Sequence, residues 1–173
     1  MSDLRSPFDQ GPAFALGVGA AALATATILT ALAFEHWGGY APCPLCLQQR
    51  YAYYAGIPFI LAALWLLSLR WNGLAALLLI AVALGFLANA GLGAYQAGAE
   101  WGLWPGPQSC AGTQEIATSA QDLLKGLSNT RVVRCDEAAW RFAGLSFAGW
   151  NGVISALLAV LATAAARLAL HRA

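Results

Sequence analysis

Charge is what this sequence has least of. Asp, Glu, Lys and Arg make up 10% of its 173 residues and hydrophobic residues 60%, whereas an ordinary water-soluble domain is about a quarter charged. Such a chain would be hard to keep dissolved in water, which argues against a soluble globular fold. Four stretches, residues 10–34, 51–69, 71–99 and 142–166, contain no charged side chain over 25, 19, 29 and 25 residues respectively. A helix needs about 20 apolar residues to cross a hydrocarbon core about 30 Å thick, so each stretch can span. The runs also lack the alternation of a barrel strand, and a helix satisfies its own backbone hydrogen bonds in lipid.

The expected fold is therefore all-α: a four-transmembrane-helix bundle forming a single membrane domain over residues 1–173. Its helices are placed at about 12–34, 47–69, 73–95 and 146–168, with a short outer loop 35–46 and a long one 96–145. The first window is expected to be retained rather than cleaved: it is long for a signal segment, and Asp3 and Asp9 accompany Arg5. Gly17, Gly19, Ala20, Ala21 and Ala24 in the first helix, and Ala156, Ala159, Ala162 and Ala166 in the fourth, would allow close helix contacts.

Lys and Arg are absent from the loop 35–46. Arg5, Arg70, Arg167 and Arg172 fall in the two tails and the turn between helices two and three, one side of a four-span topology, which the positive-inside bias makes cytoplasmic. Lys125, Arg131, Arg134 and Arg141 lie in the long outer segment, where that bias acts weakly. Cysteine is absent from the spans and from the cytoplasmic side. Cys43, Cys46, Cys110 and Cys135 all fall outside, where disulfides persist, and a bacterial periplasm is the natural setting.

The sharpest motif is Ala41-Pro42-Cys43-Pro44-Leu45-Cys46-Leu47-Gln48-Gln49-Arg50, where the first outer loop enters helix two. A Cys-x-x-Cys pair can close a small reversible disulfide, and the free N–H groups of a helix N-terminus favour thiolate. Pro44 suits a first helical turn. Cys46 and Arg50, four residues apart, share a face; a guanidinium there would stabilise negative charge on sulfur or on an electron acceptor, and an apolar quinone from the bilayer would fit. The motif alone also admits a structural disulfide, half of a zinc site, or an Arg50 that only anchors the interface.

Together these residues resemble the disulfide bond formation protein B family, over about residues 12–168. The likeness rests on four helices, on Cys43-Pro44-Leu45-Cys46 with Arg50, and on a second cysteine pair in the long loop. It extends to the stretch from Cys135 through Asp136, Glu137, Trp140 and Arg141 to Ser146, leading into helix four. The segment from Glu100 to Cys110, with Trp101 and Trp104, is similar to a branch of the family, although its tryptophans could equally form an interfacial belt.

The resemblance implies a membrane protein-disulfide:quinone oxidoreductase that reoxidises a periplasmic thioredoxin-fold thiol oxidase of the DsbA type and passes the electrons to ubiquinone or menaquinone. It casts Cys43 and Cys46 as the quinone-proximal pair, with Cys46 facing the ring and Arg50 beside it. Cys110 and Cys135 become the partner-facing disulfide, Cys110 forming the mixed disulfide and Cys135 communicating with Cys43. No metal and no nucleic-acid partner are expected. Relatives often carry a histidine at the outer end of helix three, where this chain reads Ala94-Tyr95-Gln96-Ala97; Gln96 cannot change charge, and neither His36 nor His171 is an obvious replacement.

Exchange between the pairs requires a thiolate to attack a disulfide sulfur, so the pairs must approach. The 24 residues between Cys110 and Cys135 can close a flexible loop at modest entropic cost. Within it Ile116, Ala120, Leu123, Leu124 and Leu127 fall at helical spacing, predicting an amphipathic helix over about 114–127 that lies on the membrane or packs on the protein's own loops. Two rival readings are a vitamin K epoxide reductase-like enzyme, in which the Cys-x-x-Cys sits near the last helices, and a non-enzymatic scaffold with a four-cysteine zinc site. The 25-position gap between Cys110 and Cys135 argues against the latter.

Overall fold

The computed structural model describes residues 11–106, 135 and 137–171. Four helices carry the fold: α1 (Gly11–His36), α2 (Pro44–Ser68), α3 (Asn72–Glu100) and α4 (Phe147–Leu170). Each is long and apolar enough to cross a membrane, and together they make a multi-pass membrane bundle. Cys110 and the helix expected over 114–127 lie outside the described residues.

The helices close a ring in which each packs on its sequence neighbours and α1 meets α4, leaving α2 and α4 on the diagonal. Leu29, Leu61, Trp65, Leu77, Leu84 and Val160 point outward, as side chains facing lipid must. The inward face is built from Ala20, Ala24, Ile60, Phe86, Leu158 and Ala162. Ala159 and Ala166 are buried as the small-residue pattern predicts, whereas Gly19 and Ala156 face outward; the stripe of contact is narrower than the run of small residues.

At Gly93 the backbones of α3 and α4 come close together. A Cβ added at Gly93 would lie 2.8 Å from the Gly152 nitrogen and 2.9 Å from the Ala148 carbonyl oxygen. Small residues replace the missing hydrophobic drive between helices in lipid by letting backbones touch. At Gly56 an added Cβ would meet the Phe86 ring at 2.8 Å.

Two local devices position the outer end. α2 begins at Pro44, earlier than the apolar run suggests, because Cys43 caps it: the Cys43 sulfur accepts from the Cys46 amide at 3.1 Å. Ahead of α4, β1 (Arg141–Phe142) and β2 (Leu145–Ser146) form a hairpin whose two turn residues, Ala143 and Gly144, both have positive φ (50° and 84°), as a two-residue type I′ turn requires. Ser146 then caps α4 by accepting from Gly149 at 3.2 Å. Arg141 of the hairpin donates to the Glu100 carbonyl at 3.1 Å, tying it to the end of α3.

The Gly93 contact predicts that Gly93→Ala lowers stability by about 1–3 kcal/mol, because backbone atoms cannot yield to the new methyl. Gly91→Ala on the same helix meets nothing within 4 Å and should be neutral or stabilising by up to about 1 kcal/mol. Thermal unfolding of both variants in detergent micelles checks the pair.

Candidate functional site

Capping by Cys43 places two cysteines on the first turn of α2, where unpaired helix N–H groups gather. Cys43 and Cys46 form a disulfide with Cα atoms 5.0 Å apart. Cys43 is buried and Cys46 partly open. Both line a cavity of about 500 Å³ whose wall is mostly apolar, with Ile28 and Phe34 from α1 and Phe147 and Ile154 from α4.

One turn further along α2, Arg50 reaches the same cavity. Its guanidinium forms an ion pair with Glu35 near the end of α1, and with 12% of its side chain exposed against 28% for Glu35 it is held in a largely dry wall. The pair fixes the direction of a long side chain that would otherwise have many rotamers. Arg50 thus shares the cavity with Cys46, as their four-residue spacing predicts.

Cys135 also belongs here. It is 1% exposed and packs with Cys43 and Leu45 in one small cluster, and its sulfur is itself in a disulfide. The structure therefore brings Cys43, Cys46, Arg50 and Cys135 to one end of the bundle, while Cys110 lies outside the described residues. His36 is exposed and bonds the Leu32 carbonyl within its own helix at 3.0 Å, and His171 is exposed beyond α4. Neither enters the site.

Behind the disulfide runs a chain of polar side chains that the motif reading overlooked. Gln96, 3% exposed, donates from Nε2 to the Cys43 sulfur at 3.3 Å and the Cys46 sulfur at 3.5 Å, with Glu100 Oε1 also at 3.5 Å. Gln96 Oε1 accepts from Gln49 Nε2 at 2.7 Å, and Gln49 Oε1 accepts from Asn151 Nδ2 at 2.6 Å. Asn151 Oδ1 accepts from the Tyr53 hydroxyl at 2.6 Å. Ser155 Oγ lies 3.3 Å from that hydroxyl and accepts from Asn89 Nδ2 at 2.9 Å.

The chain links α3, α4 and α2 through direct side-chain hydrogen bonds. A sequence signal for it exists. Gln49 and Tyr53 are four apart, Asn151 and Ser155 four apart, and Asn89 and Gln96 seven apart, so each pair occupies one helix face, and polar residues inside apolar spans mark function more often than packing. The cysteine motif points to neither Glu35 nor Glu100, which border the charge-free windows.

The family model described as disulfide bond formation protein DsbB matches residues 13–165. Relatives named disulfide bond formation protein B include one from Marinobacter nauticus, 36% identical over 149 residues, covering 77% of this chain and 80% of the relative. Another, from Acidovorax sp., is 32% identical over 161 residues, covering 81% and 82%. A third, from Aromatoleum aromaticum, is 30% identical over 156 residues, covering 86% and 89%. No solved structure matches. A four-helix membrane bundle carrying a Cys-x-x-Cys disulfide at the mouth of α2, matched by that model over nearly its whole length, belongs to the disulfide bond formation protein B family of membrane disulfide-forming proteins.

Proposed function

We propose that the chain is a thiol oxidase that takes electrons from a periplasmic thioredoxin-fold dithiol oxidase of the DsbA type and delivers them to a membrane quinone. The observation that carries this reading is the Cys43–Cys46 disulfide opening onto an apolar cavity that also holds Arg50. A flat lipid-soluble ring suits such a wall: apolar surface on most sides, with a few polar groups to orient it. Phe34, Phe147 and Ile154 would contact the ring, and Arg50 would face its carbonyl oxygen or the adjacent sulfur.

In this reading the partner's thiolate attacks a disulfide formed by Cys110 and Cys135, with Cys110 taking the mixed disulfide. Cys110 and Cys135 leave that exchange as thiols; one of them then attacks the Cys43–Cys46 bond, and the other resolves the mixed disulfide, closing Cys110–Cys135 again and leaving Cys43 and Cys46 as thiols. Burial of Cys135 against Cys43 supports this second step, because exchange requires sulfurs to meet. Cys43 and Cys46 then close again, giving up two electrons and two protons. A quinone lodged in the cavity would supply the acceptor for both. Arg50, held by Glu35, stabilises negative charge at the cavity during the transfer, and the apolar wall keeps water from competing. A closed disulfide withholds the thiolates that zinc binding needs, which favours exchange chemistry over a zinc scaffold.

Anaerobic turnover of the purified protein with a reduced thioredoxin-fold oxidase, followed as loss of quinone absorbance with ubiquinone and with menaquinone, tests the reading directly. Cys46→Ser should abolish quinone reduction, a loss of about a hundredfold or more. Arg50→Met should raise the quinone KM by about tenfold, equivalent to about 1.4 kcal/mol, while both disulfides still form; unchanged quinone kinetics would remove Arg50 from the site.

The proposed orientation places both termini in the cytoplasm and the cysteines in the periplasm. After reduction, a membrane-impermeant thiol reagent added to intact cells whose outer membrane has been made permeable should label Cys46. Labelling only after the inner membrane is broken would reverse the topology.

A further inference from the structure

The polar chain behind the disulfide has a direction. Gln96 carries two amide hydrogens, and its three acceptors are the two sulfurs and Glu100. A disulfide sulfur has no hydrogen to donate, so the end of Gln96 that faces it must be the nitrogen. That choice turns Gln96 Oε1 toward Gln49, Gln49 Oε1 toward Asn151, and Asn151 Oδ1 toward the Tyr53 hydroxyl. With the Tyr53 hydrogen committed to Asn151, Ser155 donates to Tyr53 and Asn89 donates to Ser155. Every bond from Asn89 to the sulfurs therefore points the same way, and bonds so aligned polarise one another.

We infer that Gln96 is a catalytic residue of the Cys43–Cys46 pair, its N–H aimed at sulfur by this one-way donor chain so that it stabilises the thiolate formed when the disulfide is reduced. Gln49, Asn151, Tyr53, Ser155 and Asn89 act through Gln96 and are positioning residues. The inference rests on the pair being redox-active, as proposed above. Reduction by a dithiol breaks the Cys43–Cys46 bond and closes the dithiol's own disulfide. Of its two protons, one remains on a sulfur of the pair and one passes to solvent, leaving a thiolate. A hydrogen bond to that anion is about twice as strong as one to neutral sulfur, so Gln96 favours the reduced state over the oxidised one.

A merely structural role makes a different forecast. Loss of helix packing weakens both redox states alike and cancels from their equilibrium, whereas loss of a thiolate donor does not. The test is the redox equilibrium of the full-length protein in detergent micelles against mixtures of reduced and oxidised dithiothreitol, with the Cys43–Cys46 peptide quantified by differential alkylation and mass spectrometry. Gln96→Met, of similar length and without a donor, should shift the equilibrium toward the protein disulfide by about tenfold, which is about 30 mV for a two-electron couple. Tyr53→Phe touches neither sulfur and keeps its ring against Phe86, 5.3 Å between centroids; it should shift the equilibrium the same way by about twofold.

Wild-type equilibria in both variants overturn the inference. A shift in Gln96→Met with none in Tyr53→Phe also overturns it, since the chain would then not aim the amide. If Gln96→Met does not fold, Tyr53→Phe decides by the same criterion. Neither quinone nor protein partner enters the measurement, so a failed quinone reading leaves its result standing.

Discussion

In a bundle wrapped by hydrocarbon no water reaches a buried amide, and an amide left unpaired there costs several kcal/mol. This chain nevertheless carries Gln49, Asn89, Gln96 and Ser155 at 5% exposure or less. Each needs a partner on another helix, and each has one. The hydrogen-bond chain from Asn89 to the sulfurs thus fixes how α2, α3 and α4 sit relative to one another, and with them the position of the disulfide. Membrane interhelical hydrogen bonds are worth only about 0.6 kcal/mol each on average, so their weight lies in specificity: rotating one helix by a single residue would strand several of them together.

Packing and polarity cooperate in that arrangement. The contact at Gly93 and Gly152 draws α3 and α4 together without side chains between them. On the same stretch, Asn89 sits one helical turn before Gly93 and Gln96 nearly one turn after it, while Asn151 and Ser155 bracket Gly152 on α4. Only at such close range can the short side chain of Ser155 take the Asn89 amide at 2.9 Å. Gly93 therefore serves the polar chain as well as the apolar core, and enlarging it would push donors beyond reach of their acceptors.

The spans and the cysteine motif were legible in the sequence because both are local. An unbroken apolar run announces a helix wherever it lies, and Cys43, Cys46 and Arg50 sit within eight residues of one another. Helix neighbours were harder to read. Gly19 and Ala156 match the small-residue pattern as well as Ala20 and Ala159 do, yet point outward, since composition alone does not say which side of a lipid-bathed helix meets protein. The Arg50–Glu35 pair joins residues 15 apart across a turn, and the Gln49–Asn151 bond joins residues 102 apart; no spacing rule reaches such distances. From sequence alone Gln96 weighs only as a residue that cannot change charge, a loss beside the histidine that relatives often carry there.

The geometry reverses that weighing. A donor that must titrate changes its charge within the pH range, and a cation at position 96 would be drawn to the carboxylate of Glu100, 3.5 Å from the amide nitrogen. An amide presents N–H at every pH and adds no net charge to a dry site already holding one ion pair. What it lacks in electrostatic strength is supplied by alignment, since Gln96 stands at the end of a row of dipoles pointing at the sulfurs. The same fixity has a structural requirement: an amide can rotate to present oxygen instead of nitrogen, and only partners on its far side prevent this. Gln49 supplies that partner, and Asn151 and Tyr53 in turn keep Gln49 from rotating, so the orientation of one N–H against Cys43 is secured by hydroxyls and amides well inside the membrane span.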